Sequence, residues 1–197
     1  TVIEGATILL TGGAGFIGSH IVDLLLEKGH RVRVLDNLAP QVHGSIGNTP
    51  PDYLNPEAEF IHGNVCDPGT VRRALDGIDV VYHKAAAVGV GQSMYEILDF
   101  CNTNVLGTAN LLEIIIGEFR NQIQRIIVAS SMSIYGEGRY MDPETGCFVI
   151  PAERTGEQMA AGQWELYVPG TQRLTVPAPC DENKLVSPTS IYAINKR

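Results

Sequence analysis

A glycine-rich segment near the start of the chain limits the possible folds more than any other feature. An apolar run at 6–10, expected to be a buried strand, leads directly into Gly12, Gly15 and Gly18, which follow a Gly-x-x-Gly-x-x-Gly pattern. Apolar residues then recur at helical spacing until Gly29 ends the predicted helix. A glycine turn between a strand and a helix lets the backbone approach a pyrophosphate at the positive helix N-terminus. The same residues also fit a tight turn that only packs the helix on the strand.

After this segment, predicted strands and helices alternate regularly. Further strands are expected at 31–35, 59–62, 79–83 and 125–129, and helices at 67–75 and 95–119. Strands that alternate with helices pair in parallel through right-handed crossovers. The sequence therefore predicts an α/β fold with a Rossmann-type doubly wound parallel sheet, and we assign residues 1–136 to this core.

The regular pattern is lost in residues 137–187, a stretch that is rich in proline, glycine and glutamate. A structureless loop of this length is uncommon inside a compact domain, so we interpret the stretch as an inserted subdomain or lid. Residues 188–197 begin another helix, within which the given sequence ends.

Composition excludes several classes of function. With 22 acidic and 14 basic residues the formal net charge is −8, whereas a nucleic-acid-binding domain usually carries a basic face. No apolar run reaches the length of a membrane span, and residues 1–4 lack the features of a secretory signal. The cysteines are scattered without a CxxC pair, which predicts reduced thiols and no metal site; they are Cys66, Cys101, Cys147 and Cys180. We expect a cytoplasmic protein that binds neither nucleic acid nor a membrane.

Asp36 closes the second predicted strand. A carboxylate there can accept hydrogen bonds from both hydroxyls of an adenosine ribose, and it would repel a 2′-phosphate. Two like charges about 4 Å apart at an effective dielectric near 20 cost roughly 4 kcal/mol. Asn37 follows where an arginine would best bind that phosphate, so we expect NAD rather than NADP. The alternative is that Asp36 is only a turn residue at the end of a strand.

Tyr192 and Lys196 form a Tyr-x-x-x-Lys pair in the last predicted helix. Residues four apart share a helix face, so the phenol and the ammonium group can point at one ligand. A tyrosine that acts as a base near pH 7 needs its pKa lowered by about three units, roughly 4 kcal/mol. A lysine cation about 4 Å away supplies energy of that order at an effective dielectric near 20. Because such a pair also arises by chance, its meaning depends on its neighbours.

Ser131 follows the fifth predicted strand, at the end of the sheet where ligands bind in doubly wound folds. Its hydroxyl could hold a sugar hydroxyl and pass a proton to Tyr192. Serines that follow a strand also form turns, and this is the alternative interpretation.

Several short motifs occur in a fixed order along the chain. They are the segment 11–18, Asp36-Asn37, His83 before Ala85-Ala86, Asn104-x-x-Gly107-Thr108, Ser131, Tyr192 and Lys196. In this order they resemble the NAD-dependent epimerase/dehydratase family of extended short-chain dehydrogenases/reductases. The resemblance implies an NAD-dependent enzyme in which Ser131 is the hydroxyl partner and Tyr192 the base. It further implies that Lys196 holds the nicotinamide ribose, and that the long helix and the helix begun at Thr189 build a homodimer. Because members of this family continue past the Tyr-Lys pair, the resemblance also implies that the remaining strands and a C-terminal substrate domain lie beyond this sequence, in a longer protein.

The resemblance also implies which residues bind the cofactor. Asn64 and Val65 stand in the family's adenine pocket, where an aspartate usually occupies the place of Asn64. Residues 85–87 are expected to pass close to the cofactor, and Asn104 either faces the site or makes a buried structural hydrogen bond. The full set is Gly12, Gly15, Phe16, Ile17, Gly18, Asp36, Asn37, Asn64, Val65, Ala85, Ala86, Ala87, Asn104, Tyr192 and Lys196.

The loop after the fifth strand narrows the implied reaction. By the same resemblance, dehydratases of this family have the residues Thr-Asp-Glu in this loop, and the two carboxyl groups drive elimination of water. This chain has Ser131, Met132 and Ser133 instead. The resemblance therefore favours a 4-epimerase that acts on a UDP- or dTDP-linked sugar by transient oxidation at C4. A 4,6-dehydratase, an NAD(P)-dependent reductase and a non-enzymatic NAD sensor remain open alternatives.

Overall fold

The computed structural model of the chain describes residues 5–197, so the expectation about a secretory signal at residues 1–4 lies outside the described residues. The chain forms two compact units: one contains the described residues up to Ser130 together with Ser190–Lys196, and the other contains Ser131–Thr189. The strands are β1 (Thr7–Thr11), β2 (Arg31–Asp36), β3 (Glu59–His62), β4 (Val80–His83), β5 (Arg125–Val128), β6 (Arg139–Met141), β7 (Phe148–Val149) and β8 (Val176–Ala178). The helices are α1 (Phe16–Glu27), α2 (Pro40–His43), α3 (Pro68–Leu75), α4 (Ile97–Cys101), α5 (Gly107–Ile114), α6 (Gly156–Ala160) and α7 (Ile191–Lys196).

The first unit is built on a five-stranded parallel sheet with the order β3-β2-β1-β4-β5. In its centre, Leu9 of β1 pairs in register with Arg33 of β2 and with Val81 of β4. The order of the strands reverses at β1, and ligands bind at such a switch point, outside the carboxyl ends of the strands. The predicted Rossmann-type doubly wound sheet is confirmed.

Successive residues of β1 are buried on opposite faces of this sheet, because side chains alternate along a strand. Leu9 packs in one apolar cluster with Val71 of α3 and Leu111 of α5. Ile8 packs in a second cluster with Val22 of α1. Helices therefore cover both faces of the sheet, which leaves the carboxyl ends of the strands as the place for a ligand.

The predicted helix at 95–119 is less regular than expected. It starts at Ile97 as α4, passes through a π-helical turn at Asn102–Leu106 into α5, and ends in a second π-helical turn at Ile115–Phe119. A π-helical turn accommodates an extra residue and is frequent at functional sites. Apolar residues occur all along this segment, so helical spacing alone could not reveal the change. No helix in residues 5–197 is long and apolar enough to cross a membrane.

The second unit contains a three-stranded antiparallel sheet with the order β7-β6-β8, and the short helix α6. Thr155 and Gln158 form a capping box at the start of α6. The guanidinium group of Arg173 binds the buried carboxylate of Asp142 at 2.9 Å. The segment thus has secondary structure of its own, while its assignment as a lid over residues 137–187 stays a prediction.

Candidate active site

The turn between β1 and α1 is so tight that two of its glycines have no room for a side chain. Gly12 has a φ of +70°, and a Cβ there would lie 2.6 Å from the Ala85 nitrogen. A Cβ on Gly18 would collide with the carbonyl oxygen of Gly12. Gly15 differs, because a Cβ there would meet its nearest neighbour at 3.5 Å. α1 begins directly after Gly15, so the unpaired N–H groups of its first turn are available to an anion.

An open groove of about 440 Å³ lies at the carboxyl ends of the strands of the first unit. It is lined by the glycine turn, the end of β2, the residues after β3 and β4, and α7. All of the predicted cofactor-binding residues except Asn104 line this groove. The structure thus brings together side chains that lie far apart in the sequence, although the role of each stays a prediction.

The Asp36 carboxylate is buried at the end of β2 and held in a fixed orientation. Its Oδ2 accepts a hydrogen bond from the Ala14 N–H at 3.0 Å, and its Oδ1 accepts one from the Leu38 N–H at 2.9 Å. Each carboxylate oxygen keeps further acceptor capacity after these two bonds. Asp36 is therefore a preoriented acceptor on the wall of the groove, and its predicted contact with the adenosine ribose stays a prediction.

Asn64 and Val65 lie at the end of the groove formed after β3. The Asn64 Oδ1 accepts a hydrogen bond from the Cys66 N–H at 2.9 Å, so its amide is fixed in a local turn. Val65 is buried, and its carbonyl oxygen accepts from the Asn110 side chain at 2.7 Å. Asp67 caps α3 by accepting hydrogen bonds from the N–H groups of Gly69 and Thr70.

Asn104 is buried in the first π-helical turn and does not line the groove. Its Oδ1 accepts from the Ala87 N–H at 2.8 Å, and its Nδ2 donates to the Ala87 carbonyl oxygen at 3.0 Å. Of the two expectations for Asn104, the structure supports the buried structural hydrogen bond. Its contribution to the site is to hold residues 85–87, which form part of the groove wall.

α7 places Tyr192 and Lys196 on the groove. Tyr192 is buried, its N–H donates to the Ser93 hydroxyl at 3.0 Å, and its ring packs edge-to-face on Phe100. The Lys196 Nζ donates to the Ala129 carbonyl oxygen at 3.1 Å. Burial lowers the pKa of Lys196, and the nearby Lys84 ammonium lowers it further. The predicted phenol and ammonium thus lie on one groove wall, on a helix that the first unit anchors.

His83, which the sequence left unassigned, is a buried structural residue. Its Nδ1 lies 2.7 Å from the Thr11 hydroxyl and its Nε2 lies 2.9 Å from the Thr108 hydroxyl. The Thr108 hydroxyl donates to the Asn104 carbonyl oxygen at 2.6 Å, so Nε2 must carry the hydrogen that Thr108 accepts. Burial, followed by the Lys196 charge, lowers the pKa of His83 from 6.5 to about 4. A neutral imidazole therefore connects β1, β4 and α5 below the groove.

Ser131 is the first residue of the second unit. Its Oγ accepts from the Ser133 N–H at 3.2 Å and caps the helical turn at Met132–Tyr135. It also donates to the Ser133 hydroxyl at 3.1 Å. Ser131 does form a turn, as the alternative interpretation expected, and its predicted role as partner of Tyr192 stays a prediction.

Three polar residues around the groove were not predicted from the sequence. Lys84 and His43 line it, and Tyr53 contacts His43 through its hydroxyl. Lys84 directly follows β4, and this position was the only available signal. His43 and Tyr53 stand in a turn-rich segment without periodicity, so only the folded chain shows that they approach Asp36.

The fold and the groove together define a class of protein. A glycine turn that opens a helix, an acidic residue at the end of the next strand and a Tyr-x-x-x-Lys helix characterise the short-chain dehydrogenases/reductases, which use a dinucleotide cofactor. The chain belongs to the NAD dependent epimerase/dehydratase family, whose family model matches residues 8–153. This confirms the resemblance found in the sequence, and with it the expectation of an NAD-dependent enzyme family.

Individual relatives are sugar-nucleotide epimerases. The chain is 34% identical over 198 residues to the dTDP-L-rhamnose 4-epimerase of Burkholderia thailandensis, covering 100% of this chain and 52% of that protein. The UDP-glucose 4-epimerase of Thermus thermophilus in complex with NAD has a TM-score of 0.63 at 29% identity, covering 96% of this chain and 47% of that one. The UDP-glucose 4-epimerase of Thermotoga maritima with UDP-glucose has a TM-score of 0.65 at 30% identity, with coverages of 96% and 47%. The chain thus spans about half the length of these relatives.

Proposed function

We propose that the protein is an NAD-dependent sugar-nucleotide 4-epimerase, which inverts C4 of a UDP- or dTDP-linked sugar by transient oxidation and re-reduction. The observation that carries this proposal is that Tyr192 and Lys196 line the same groove as Asp36 and the glycine turn. The three relatives described above, which each match nearly all of this chain, are named 4-epimerases, and this supports C4 as the reacting carbon.

The residues of the groove fit NAD. The backbone at Gly12 and Gly18 is free of side chains, and the first turn of α1 offers unpaired N–H groups to a pyrophosphate. The buried carboxylate of Asp36 suits the hydroxyls of the adenosine ribose and opposes a 2′-phosphate. Asn64 and Val65 close the end of the groove where the adenine would bind.

The chemistry of the proposal depends mainly on α7. When bound, NAD supplies a reversible hydride acceptor for C4. Tyr192 removes the proton of the C4 hydroxyl and returns it after the keto sugar has turned its other face to the cofactor. The Lys196 ammonium, held by the Ala129 carbonyl, stabilises the phenolate by its charge. We assign Ser131 to the sugar hydroxyl, which it would hold while the proton moves.

A 4,6-dehydratase is the main alternative within the family. It needs an acid and a base to eliminate water, and dehydratases of the family have Thr-Asp-Glu in the loop after the fifth strand. Here the corresponding residues are Ser131, Met132 and Ser133, and the two serine hydroxyls bind each other at 3.1 Å. This loop supports epimerisation over elimination.

We also propose that the protein is a homodimer. Large apolar side chains are exposed along the segment from α4 to the second π-helical turn and on α7; they are Leu98, Leu106, Ile116 and Ile194. Exposed apolar residues that cluster on two elements usually form an interface, and a mass measurement in solution tests this. The acidic composition and the free cysteines support a cytoplasmic location without nucleic-acid or membrane partners.

The test uses the full-length protein with NAD⁺ and a panel of UDP-, dTDP- and GDP-sugars, followed by NMR at C4. Inversion at C4 without net formation of NADH is the expected result, and it identifies the substrate in the same experiment. Loss of water would show a dehydratase, and net reduction would show a reductase. NAD binding without turnover of any sugar would favour the sensor and contradict the proposal.

A further inference from the structure

The carboxylate of Asp36 is part of a polar network that contains two residues without an assigned role, His43 and Tyr53. His43 ends α2, its side chain is only 3% exposed, and its Nε2 lies 3.7 Å from the Asp36 Oδ1. Its Nδ1 lies 3.1 Å from the Tyr53 hydroxyl, which donates to the Ala14 carbonyl oxygen at 2.8 Å. Asp36 and His43 both line the groove. The network therefore connects the end of β2, α2 and the glycine turn at one corner of the groove.

The hydrogen bonds of this network determine where the imidazole of His43 carries its hydrogen. A phenol has one hydrogen, and Tyr53 gives it to the Ala14 carbonyl, which can only accept. Burial and the Asp36 charge raise the pKa of Tyr53, so the phenol keeps this hydrogen. The Tyr53 oxygen must then accept from His43, which places the imidazole hydrogen on Nδ1. With its hydrogen on Nδ1, the imidazole of His43 has the lone pair of Nε2 available on the side of Asp36 and the groove.

The corner of the groove beside Asp36 thus offers acceptors of hydrogen bonds. They are the two carboxylate oxygens of Asp36, each with spare capacity, and the Nε2 of His43. The separation of 3.7 Å between Nε2 and Oδ1 is longer than a hydrogen bond, so the two groups do not satisfy each other. A vicinal diol supplies two hydroxyl donors on neighbouring carbons, whereas a phosphate brings only acceptors and negative charge.

The backbone that forms this corner of the groove is strained at one residue. Leu38 has a φ of +50°, the single positive φ of a non-glycine residue among the described residues. Such a conformation is costly and persists only where its surroundings determine it. The Leu38 side chain is buried and its N–H binds Asp36 Oδ1 at 2.9 Å, which fixes the turn that leads into α2. This turn reverses the chain after Asp36 and places His43 beside the Asp36 carboxylate.

We propose that His43 is a specificity-determining residue for the cofactor: its Nε2 accepts a hydrogen bond from one hydroxyl of the adenosine ribose, while Asp36 accepts one from the other. The inference rests on the proposed use of NAD. Tyr53 is a positioning residue, because it acts by keeping the hydrogen of His43 on Nδ1. His43 adds to the exclusion of a 2′-phosphate, which would meet its lone pair as well as the Asp36 charge.

The test measures the dissociation constants of NAD and NADP for the full-length protein and its variants by calorimetry. His43→Ala should weaken NAD binding about three- to tenfold, the worth of one hydrogen bond. It should leave NADP binding unchanged or tighter, so the preference for NAD becomes smaller. Gln41→Ala is the matched control, because Gln41 lies on the same helix and binds Gln92 instead. This control should change NAD binding less than twofold.

Two further measurements keep the inference testable if His43→Ala folds poorly. Tyr53→Phe keeps the ring but removes the acceptor of Nδ1, so it should weaken NAD binding by a smaller factor. Binding of 2′-deoxy- and 3′-deoxy-NAD to the wild type and to His43→Gln shows which hydroxyl His43 contacts. Removing the hydroxyl that His43 contacts should cost less NAD affinity in His43→Gln than in the wild type. Removing the other hydroxyl should cost both proteins the same affinity.

The outcomes separate this inference from the proposed function. If the wild type binds NAD and Asp36→Asn weakens it but His43→Ala and Tyr53→Phe do not, only the role of His43 is wrong. If His43→Ala weakens NADP more than NAD, the imidazole acts as a cation and the assignment is overturned. If the wild type does not bind NAD, the proposed function fails together with the inference.

Discussion

Asn104 and Ala87 are joined by a pair of hydrogen bonds, in which the side-chain amide of Asn104 satisfies both backbone polar groups of Ala87. The two distances are 2.8 Å for the Ala87 N–H and 3.0 Å for its carbonyl. Ala87 lies after the end of β4, where sheet hydrogen bonds no longer hold the chain. The wall of the groove is therefore fixed by a helix side chain that does not itself line the groove.

Replacing Asn104 by alanine should destabilise the protein and weaken NAD binding together. The substitution removes both hydrogen-bond partners of the half-buried Ala87 backbone, and each lost hydrogen bond costs about 0.5–1.5 kcal/mol. Urea unfolding should show the loss in the free energy of unfolding, and calorimetry should show the loss of NAD affinity. Asn102→Ala, in the same π-helical turn, serves as the control. Equal stability of the two variants would contradict a supporting role for Asn104.

The three glycines of the turn should respond differently to a methyl group. Gly18→Ala should reduce the free energy of unfolding by more than about 2 kcal/mol, because its Cβ collides with the Gly12 carbonyl. Gly15→Ala should fold normally, since its nearest neighbour would be 3.5 Å away. If the pyrophosphate binds at the start of α1, Gly15→Ala should still lose NAD affinity.

Gly117→Ala is the control for this comparison, because a Cβ there meets nothing within 4 Å. Thermal unfolding and NAD titration of the variants separate folding from binding. A Gly15→Ala variant with normal stability and unchanged NAD affinity would place the pyrophosphate elsewhere.

His83 should make stability depend on pH. Its pKa is about 4 in the folded protein and near 6.5 when unfolded, so only the unfolded chain takes up a proton between these values. The contribution of His83 is complete above pH 6.5 and is lost as the pH falls toward 4, by up to about 3 kcal/mol. Urea unfolding across this range should show a shallower slope for His83→Gln than for the wild type.

The exposed His62 provides the control for this measurement. His62→Gln should keep the slope of the wild type, because the side chain of His62 lies exposed at the end of β3, away from the buried network of His83. Parallel curves for the wild type and His83→Gln would show that His83 is not held neutral by its environment.

Tyr192→Phe should abolish epimerisation while NAD binding is retained. The phenol is the proposed proton acceptor, and general acid–base groups typically contribute about 10²- to 10⁴-fold to the rate. The ring of Tyr192, which packs on Phe100, is preserved by this change. NMR at C4 measures turnover and calorimetry measures NAD binding. Tyr95 is exposed, so Tyr95→Phe is the control and should behave as the wild type. Full activity of the Tyr192→Phe variant would refute the mechanism.

Much of the fold could be predicted because its signals are local. The predicted helix that Gly29 ends and the predicted helix at 67–75 correspond to α1 and α3 of the structure. Buried strands, glycine turns and caps each depend on a few adjacent residues. The π-helical turns were not predicted, since they change the helix without changing its apolar composition. Neither was the sheet of the second unit, whose strands are only two or three residues long.

The sequence by itself determined the parallel doubly wound sheet, the glycine turn, the acidic end of β2 and the Tyr-x-x-x-Lys helix. These depend on residue type and spacing within single elements. Only the tertiary structure decided that Asn104 supports the groove from behind, that His83 is a neutral structural bridge, and that His43 returns to Asp36. Those roles depend on which donor meets which acceptor across distant segments. Spacing along the chain does not encode such pairings, because they arise when helices and loops pack on the sheet.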